Sequence, residues 1–175
     1  MSALGKLNGV GAFFALLLLV VWAVALAVLL QTWNRPFYQY RRFDSQHFSD
    51  IEQLLDKHGQ AVLSFRGRKI ETWCDEDEGK VRDGFRDSET VLGPVGAAKC
   101  LHLLALEFFP LWDRAIAEAY GFPLLPKGQN AEACCQLAAI VREQCKRLAA
   151  GLPAGRNPLK ALDAYNYCKC SKGWL

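Results

Sequence analysis

Seven cysteines are the residues of this 175-residue chain best suited to chemistry, and five follow Ala133: Cys134, Cys135, Cys145, Cys168 and Cys170. Four thiolates hold a tetrahedral zinc ion at about 2.3 Å. If the last helix folds back on its predecessor, Cys134, Cys135, Cys168 and Cys170 form the candidate metal or thiol-redox set. The spacing argues against it. Paired zinc ligands are separated by two or more residues, whereas this chain offers an adjacent pair, a Cys-Lys-Cys and no C-x-x-C. Three outcomes stay open: buried structural thiols, which the helical pattern favours, disulfides, or a metal or iron–sulfur centre. Seven is odd, so full pairing within the chain is impossible. The expectation is no metal and no cofactor.

Other motifs fail on inspection of their chemistry. Counted from Asp75 as a calcium loop, Asp75-Glu76-Asp77-Glu78-Gly79 places Gly79 at position 5, Lys80 at position 6 and Arg86 at position 12, where the template needs an oxygen ligand, glycine and a bidentate acid. In Gly93-Pro94-Val95-Gly96-Ala97-Ala98-Lys99 the residue before Lys99 is Ala98 and the one after it is Cys100, so the phosphate-loop pattern of glycine, lysine and hydroxyl is broken. His47, His58 and His102 are scattered, and none of the six serines sits in a nucleophile elbow. His102, within an apolar stretch, reads as a core or interface residue before a haem ligand. No catalytic constellation emerges.

The elements that would position these residues are helical. Ser49-Asp50-Ile51-Glu52 resembles a capping box within a helix over 43–59, with Gly59 as its stop. Weak alternation over 61–65, a turn at Arg66-Gly67-Arg68 and a second run over 69–73 predict a small hairpin. The charged stretch 75–84 reads as a loop. A long apolar helix is expected from about Ala97 to Tyr120, kinked or divided at Pro110. Cys134, Leu137, Ala138, Val141, Cys145 and Leu148 form one stripe of a helix from Ala131 to Ala150, capped by Asn130, with Cys135 rotated off the stripe. Asn157-Pro158 opens a final short helix.

Composition places this framework. The chain is 51% hydrophobic and carries a net charge of +3. Val10 to Leu30 is an uninterrupted apolar run of 21 residues, which as a helix spans roughly 31 Å, a bilayer's hydrocarbon thickness. A cleaved secretory signal, with Lys6 as its basic region, is the competing reading, and the run is too long for it. Trp33, Phe37, Tyr38 and Tyr40 suit the headgroup layer, and Arg35, Arg41 and Arg42 outnumber Lys6 across the span. The positive-inside rule therefore places the following domain on the matrix or cytoplasmic side. Disulfides would instead demand an oxidising compartment. After the run, 20 basic residues face 18 acidic ones, so a charge-driven nucleic-acid partner is not expected.

The fold class expected is mainly α: a single N-terminal transmembrane helix followed by a small helical domain with at most one β-hairpin. The division is a flank over 1–9, a transmembrane helix over 10–33, a basic and aromatic linker over 34–42, and a domain over 43–175. Leu103, Leu104, Phe108, Phe109 and Trp112 exceed what one helix face can bury and are the candidate partner contacts, with burial inside the chain as the competing reading. These readings predict a non-catalytic, single-pass accessory subunit of a larger membrane complex, an energy-transducing respiratory one in the mitochondrial inner membrane, with the plasma membrane as the alternative. The competing function is a membrane-tethered thiol-redox or metal-binding protein.

Overall fold

The computed structural model describes Val21 and residues 23–175. It is mainly helical, with no strand among the described residues. The chain divides into two compact units, residues 1–60 and 61–175. Of the expected transmembrane helix, residues 10–20 and Trp22 lie outside the described residues, as does the flank over 1–9. No helix of the described residues is long and apolar enough to cross a membrane.

In the first unit, residues 23–33 are helical (α1). Ala23, Leu26, Ala27 and Leu30 recur at helical spacing and are buried, while Val21, Val24, Val28, Leu29 and Trp33 are exposed. Pro36 redirects the chain without ending helical structure. It occupies the first turn of α2, Arg35–Tyr40, where its missing N–H is no loss. Extended backbone at Arg41 closes α2. The third helix, α3, runs Ser45–Leu63, starting two residues later and ending four residues later than the expected 43–59. Asp44 sets the start, because its carboxylate accepts the N–H of His47 at 2.9 Å and so caps the first turn. Ser49 and Glu52 are therefore interior, and Gly59 stays helical instead of stopping α3.

The second unit contains no hairpin. Residues 61–63 finish α3, and after a turn at Gly67 (φ 82°) the chain forms a 3₁₀ turn at Ile70–Thr72. The N–H of Ile70 bonds the carbonyl of Glu107 at 2.8 Å, which takes the donor a β-ladder would have used. The acidic stretch is not a loop. It is the first turn of α4, Asp75–Leu104, where Asp75, Glu76, Asp77 and Glu78 meet the positive end of the helix dipole. Asp77 also accepts the backbone N–H of Cys74 at 3.0 Å, half of a capping box. Gly93 (φ 73°, ψ 167°) breaks α4 into two helical segments.

The long apolar helix expected up to Tyr120 stops at Leu104. Turns over 105–109 and an extended stretch through Pro110 lead to α5, Arg114–Ala119, whose cap is Asp113. The helix α6, Ala131–Ala149, and α7, Pro158–Asn166, stand where the sequence places them. A π-turn at Tyr167–Ser171 follows. The second unit assembles around α6, which packs on α4, the 3₁₀ turn and α7. Its aromatic centre is Phe108, stacked between Phe65 (centroids 4.5 Å) and Trp73 (5.3 Å). Arg68 lies over Phe108 at 4.8 Å while its guanidinium grips both oxygens of Asp77 at 2.9 and 2.7 Å.

Candidate functional site

The aromatic and basic residues after α1 converge on one small cluster. Its hub is His47, which is fully buried although nothing in the spacing of the three histidines marks it. The Tyr38 hydroxyl and His47 Nε2 share a hydrogen bond of 3.0 Å. Phe43 meets the imidazole edge-on at 5.4 Å, and Phe37 meets Tyr38 edge-on at 5.1 Å. Burial, aided by the charge of Arg41, holds His47 below its usual pKa, so the imidazole is neutral at pH 7. Arg41 donates to Asp50 at 3.3 Å, and Gln46 donates to the other Asp50 oxygen at 2.9 Å.

Around this cluster the remaining side chains face outward. Tyr40 is 92% exposed, and Trp33, Arg35 and Arg42 are exposed as well. A cavity of about 390 Å³ opens here, lined by Arg35, Arg41 and Arg42 with Gln31, Gln39, Tyr38 and Phe43. Among the described residues no carboxylate lines it. Among the described residues, Arg35 and Arg42 form no ion pair, while Arg41 shares its charge with Asp50. Sequence reasoning found the three arginines but missed Gln31, Gln39, Phe43 and His47. The signal was present: Gln31, Arg35, Tyr38 and Arg42 recur at intervals of three and four.

The cysteine set is not assembled. All seven cysteines are free thiols, and no group of three or more His, Cys, Asp or Glu among the described residues could hold a metal ion. Cys134 is buried as its stripe implies. Cys135 is buried too, contrary to its position off the stripe, because α4 covers that flank and sets Arg82 beside it. Cys168 and Cys170 lie half-exposed on the π-turn. Burial pushes the thiol of Cys134 well up, that of Cys135 up to about 11 and those of Cys100 and Cys145 up to about 12. Thiols so raised are neither nucleophiles nor ready ligands at neutral pH.

The candidate partner contacts are core residues. Leu104, Phe108, Phe109 and Trp112 are buried and Leu103 is half-buried, because the chain turns at Ala105 and folds its aromatic residues inward where a continuous helix would splay them. Trp112 stacks on Phe85 at 5.8 Å. His102 belongs to the same interior: its Nδ1–H donates to the Phe109 carbonyl at 2.8 Å and lies 4.0 Å from Asp163 Oδ2. Burial lowers the pKa of His102 and pushes Asp163 up to about 7, so both shifts favour neutral partners over an ion pair. The Tyr120 hydroxyl donates to Gln144 at 2.8 Å and accepts from the Asn166 amide at 3.0 Å, which ties α5, α6 and α7 together. Comparison with protein-family models, with curated proteins and with solved structures finds no match to this chain.

Proposed function

We propose that this chain is a membrane-attached, non-catalytic accessory subunit of a larger membrane assembly, an energy-transducing one. The observation that carries the reading is the exposed face of α1. Val21, Val24, Val28, Leu29 and Trp33 stand open and run directly into the Arg35 to Arg42 belt. Apolar surface held in water costs about 25 cal/mol for each Å² left unburied, whereas lipid removes that cost. Exposed tryptophan and tyrosine followed by arginines are the residues that prefer the headgroup layer. The arginines favour residues 61–175 on the matrix or cytoplasmic side, and the inner mitochondrial membrane is the placement we propose.

The second unit serves as a helical scaffold in this reading. Its buried and half-buried polar side chains are spent on holding helices: Arg68 on Asp77, Glu89 on Asn130, and Tyr120 on Gln144 and Asn166. Half of the large apolar residues it leaves open for a neighbour, Tyr165, Tyr167, Trp174 and Leu175, fall within residues 165–175, while Leu106, Leu125, Ile140 and Leu148 are exposed elsewhere.

Alkaline carbonate extraction of membranes from cells expressing the full chain tests attachment, and native electrophoresis in mild detergent tests assembly. The chain is expected to stay in the carbonate pellet and to migrate with partners well above its own mass. The double substitution Val24→Asp with Val28→Asp is expected to release it to the supernatant. Complete release of the unsubstituted chain would sink the membrane reading, and migration as a lone monomer would sink the subunit reading.

A further inference from the structure

We infer that the arginine-lined cavity beside α2 binds a phosphate group, that of an anionic phospholipid headgroup. Three guanidinium groups and no carboxylate line about 390 Å³, and two of them, Arg35 and Arg42, have no ion-pair partner among the described residues. Guanidinium forks match phosphate oxygens in pairs, and the resulting charge-assisted bonds are roughly twice as strong as neutral ones.

The rest of the lining fits the same ligand. Gln31 and Gln39 add amide donors for ester or glycerol oxygens. Phe43 is the apolar side chain at the rim, suited to the first carbons of an acyl chain. Arg41 is fixed by Asp50 at 3.3 Å, so part of the cavity is preorganised, while Arg35 and Arg42 are free to close on a ligand. The volume is within the usual range for small-molecule sites, roughly 300–1,000 Å³. That the phosphate comes from a lipid rests on the membrane reading above. Position supports it: Gln31 and Arg35 flank the exposed Trp33, where the apolar face of α1 ends and a headgroup layer would begin.

Native mass spectrometry of the full chain in detergent tests the site, with phosphatidylglycerol, phosphatidylcholine and inorganic phosphate as separate probes. Saturable retention of phosphatidylglycerol is expected, weakened roughly fivefold by each of Arg35→Gln and Arg42→Gln and unchanged by Arg147→Gln, an exposed arginine on α6. Displacement of the lipid by inorganic phosphate would support recognition of the phosphate group itself. Binding of inorganic phosphate without lipid would keep the phosphate site and overturn the lipid assignment. Equal retention of both lipids without any phosphate binding, or indifference to both arginine substitutions, would overturn the inference. The assay needs no bilayer insertion, so carbonate release of the chain alongside arginine-dependent phosphate binding would fail the membrane reading alone.

Discussion

Asn130 takes up both carboxylate oxygens of Glu89, forty-one positions earlier in the chain: its backbone N–H donates to Oε2 at 3.2 Å and its side-chain amide donates to Oε1. Both residues are fully buried. Glu89 thereby brings α4 to the start of α6, where its negative charge also meets the helix dipole. Removing one member of a buried, fully bonded polar pair leaves the other unpaired. Glu89→Ala is expected to lower unfolding free energy by about 2–4 kcal/mol, read from urea melts. Glu89→Gln is expected to lie between it and the wild type, since one oxygen survives as an acceptor. A neutral Glu89→Ala would remove the pair from the list of stabilising contacts.

Asp77 supplies acid sensitivity. The Arg68 guanidinium holds its carboxyl at about 2, below the ordinary 3.8. The unfolded state then binds more protons between those values, so stability rises with pH across that window. The contribution is present above 3.8 and lost as pH falls through 2. Asp77→Asn is expected to cost about 1–2 kcal/mol at pH 7, after discounting for the half-exposed arginine, with the difference shrinking toward pH 2. A constant difference across an acid titration of unfolding would show that the pair's charge is irrelevant.

How much was legible follows from which interactions are local. Asn157 and Pro158 mark α7 because the cap is local, with the Asn157 side chain accepting from Leu159 N–H at 2.9 Å. Asn130 marks the start of α6 too, yet its side chain turns away to Leu125, Pro126 and Glu89, a role no spacing rule carries. The acidic run reads as a solvated loop because charge and glycine dominate it. What holds it helical is the buried face of Val81, Phe85, Ser88 and Leu92, visible only once those residues have something to pack on. Likewise Phe65, Trp73 and Phe108 stack across separate elements, so Leu103 to Trp112 reads as excess apolar surface until that stack exists. At the candidate site, the arginines were visible by type, while His47 needed the turn between α2 and α3 to bring it under Tyr38.

Asp163 imposes the opposite slope from Asp77. Oδ1 accepts the Leu111 N–H at 3.2 Å, but Oδ2 is buried without a hydrogen-bond partner, and burial raises the carboxyl from 3.8 to about 7. Here the folded state binds the extra proton. Its stabilising share is full below 3.8 and is lost as pH rises through 7. Asp163→Asn keeps an acceptor for Leu111 and cannot ionise, so relative to the wild type it is expected to gain about 2–4 kcal/mol between pH 4 and pH 8. His102, lowered by burial, contributes the reverse trend below 6.5. A pH-independent difference would show that the carboxyl titrates normally.

The thiols divide by exposure. Cys74 is exposed and Cys168 and Cys170 are half-exposed, whereas Cys100, Cys134, Cys135 and Cys145 are buried. Titration of the native protein with an aromatic disulfide reagent is expected to release three equivalents quickly and the rest only on unfolding. Added zinc is expected to leave that count unchanged. Protection of Cys168 and Cys170 by zinc would revive the metal-binding reading of the C-terminal cysteines.

Two glycines of α4 are expected to respond in opposite directions to the same substitution. Gly93 sits at φ 73° and ψ 167°, a region that side-chain-bearing residues occupy only at a cost of about 1–3 kcal/mol. The following Pro94 has no N–H to donate, so the break cannot relax into a regular helical turn without strain elsewhere. Gly93→Ala is therefore expected to destabilise by that amount and to disturb the segment carrying Leu101 and His102. Gly79 lies in the exposed, regular part of α4, and nothing stands within 4 Å of where a Cβ would go. Gly79→Ala is expected to stabilise by about 0.5–1 kcal/mol, since alanine forfeits less backbone freedom on folding. Thermal melts of both variants against the wild type decide the matter, and a stabilising Gly93→Ala would mean that α4 runs straight.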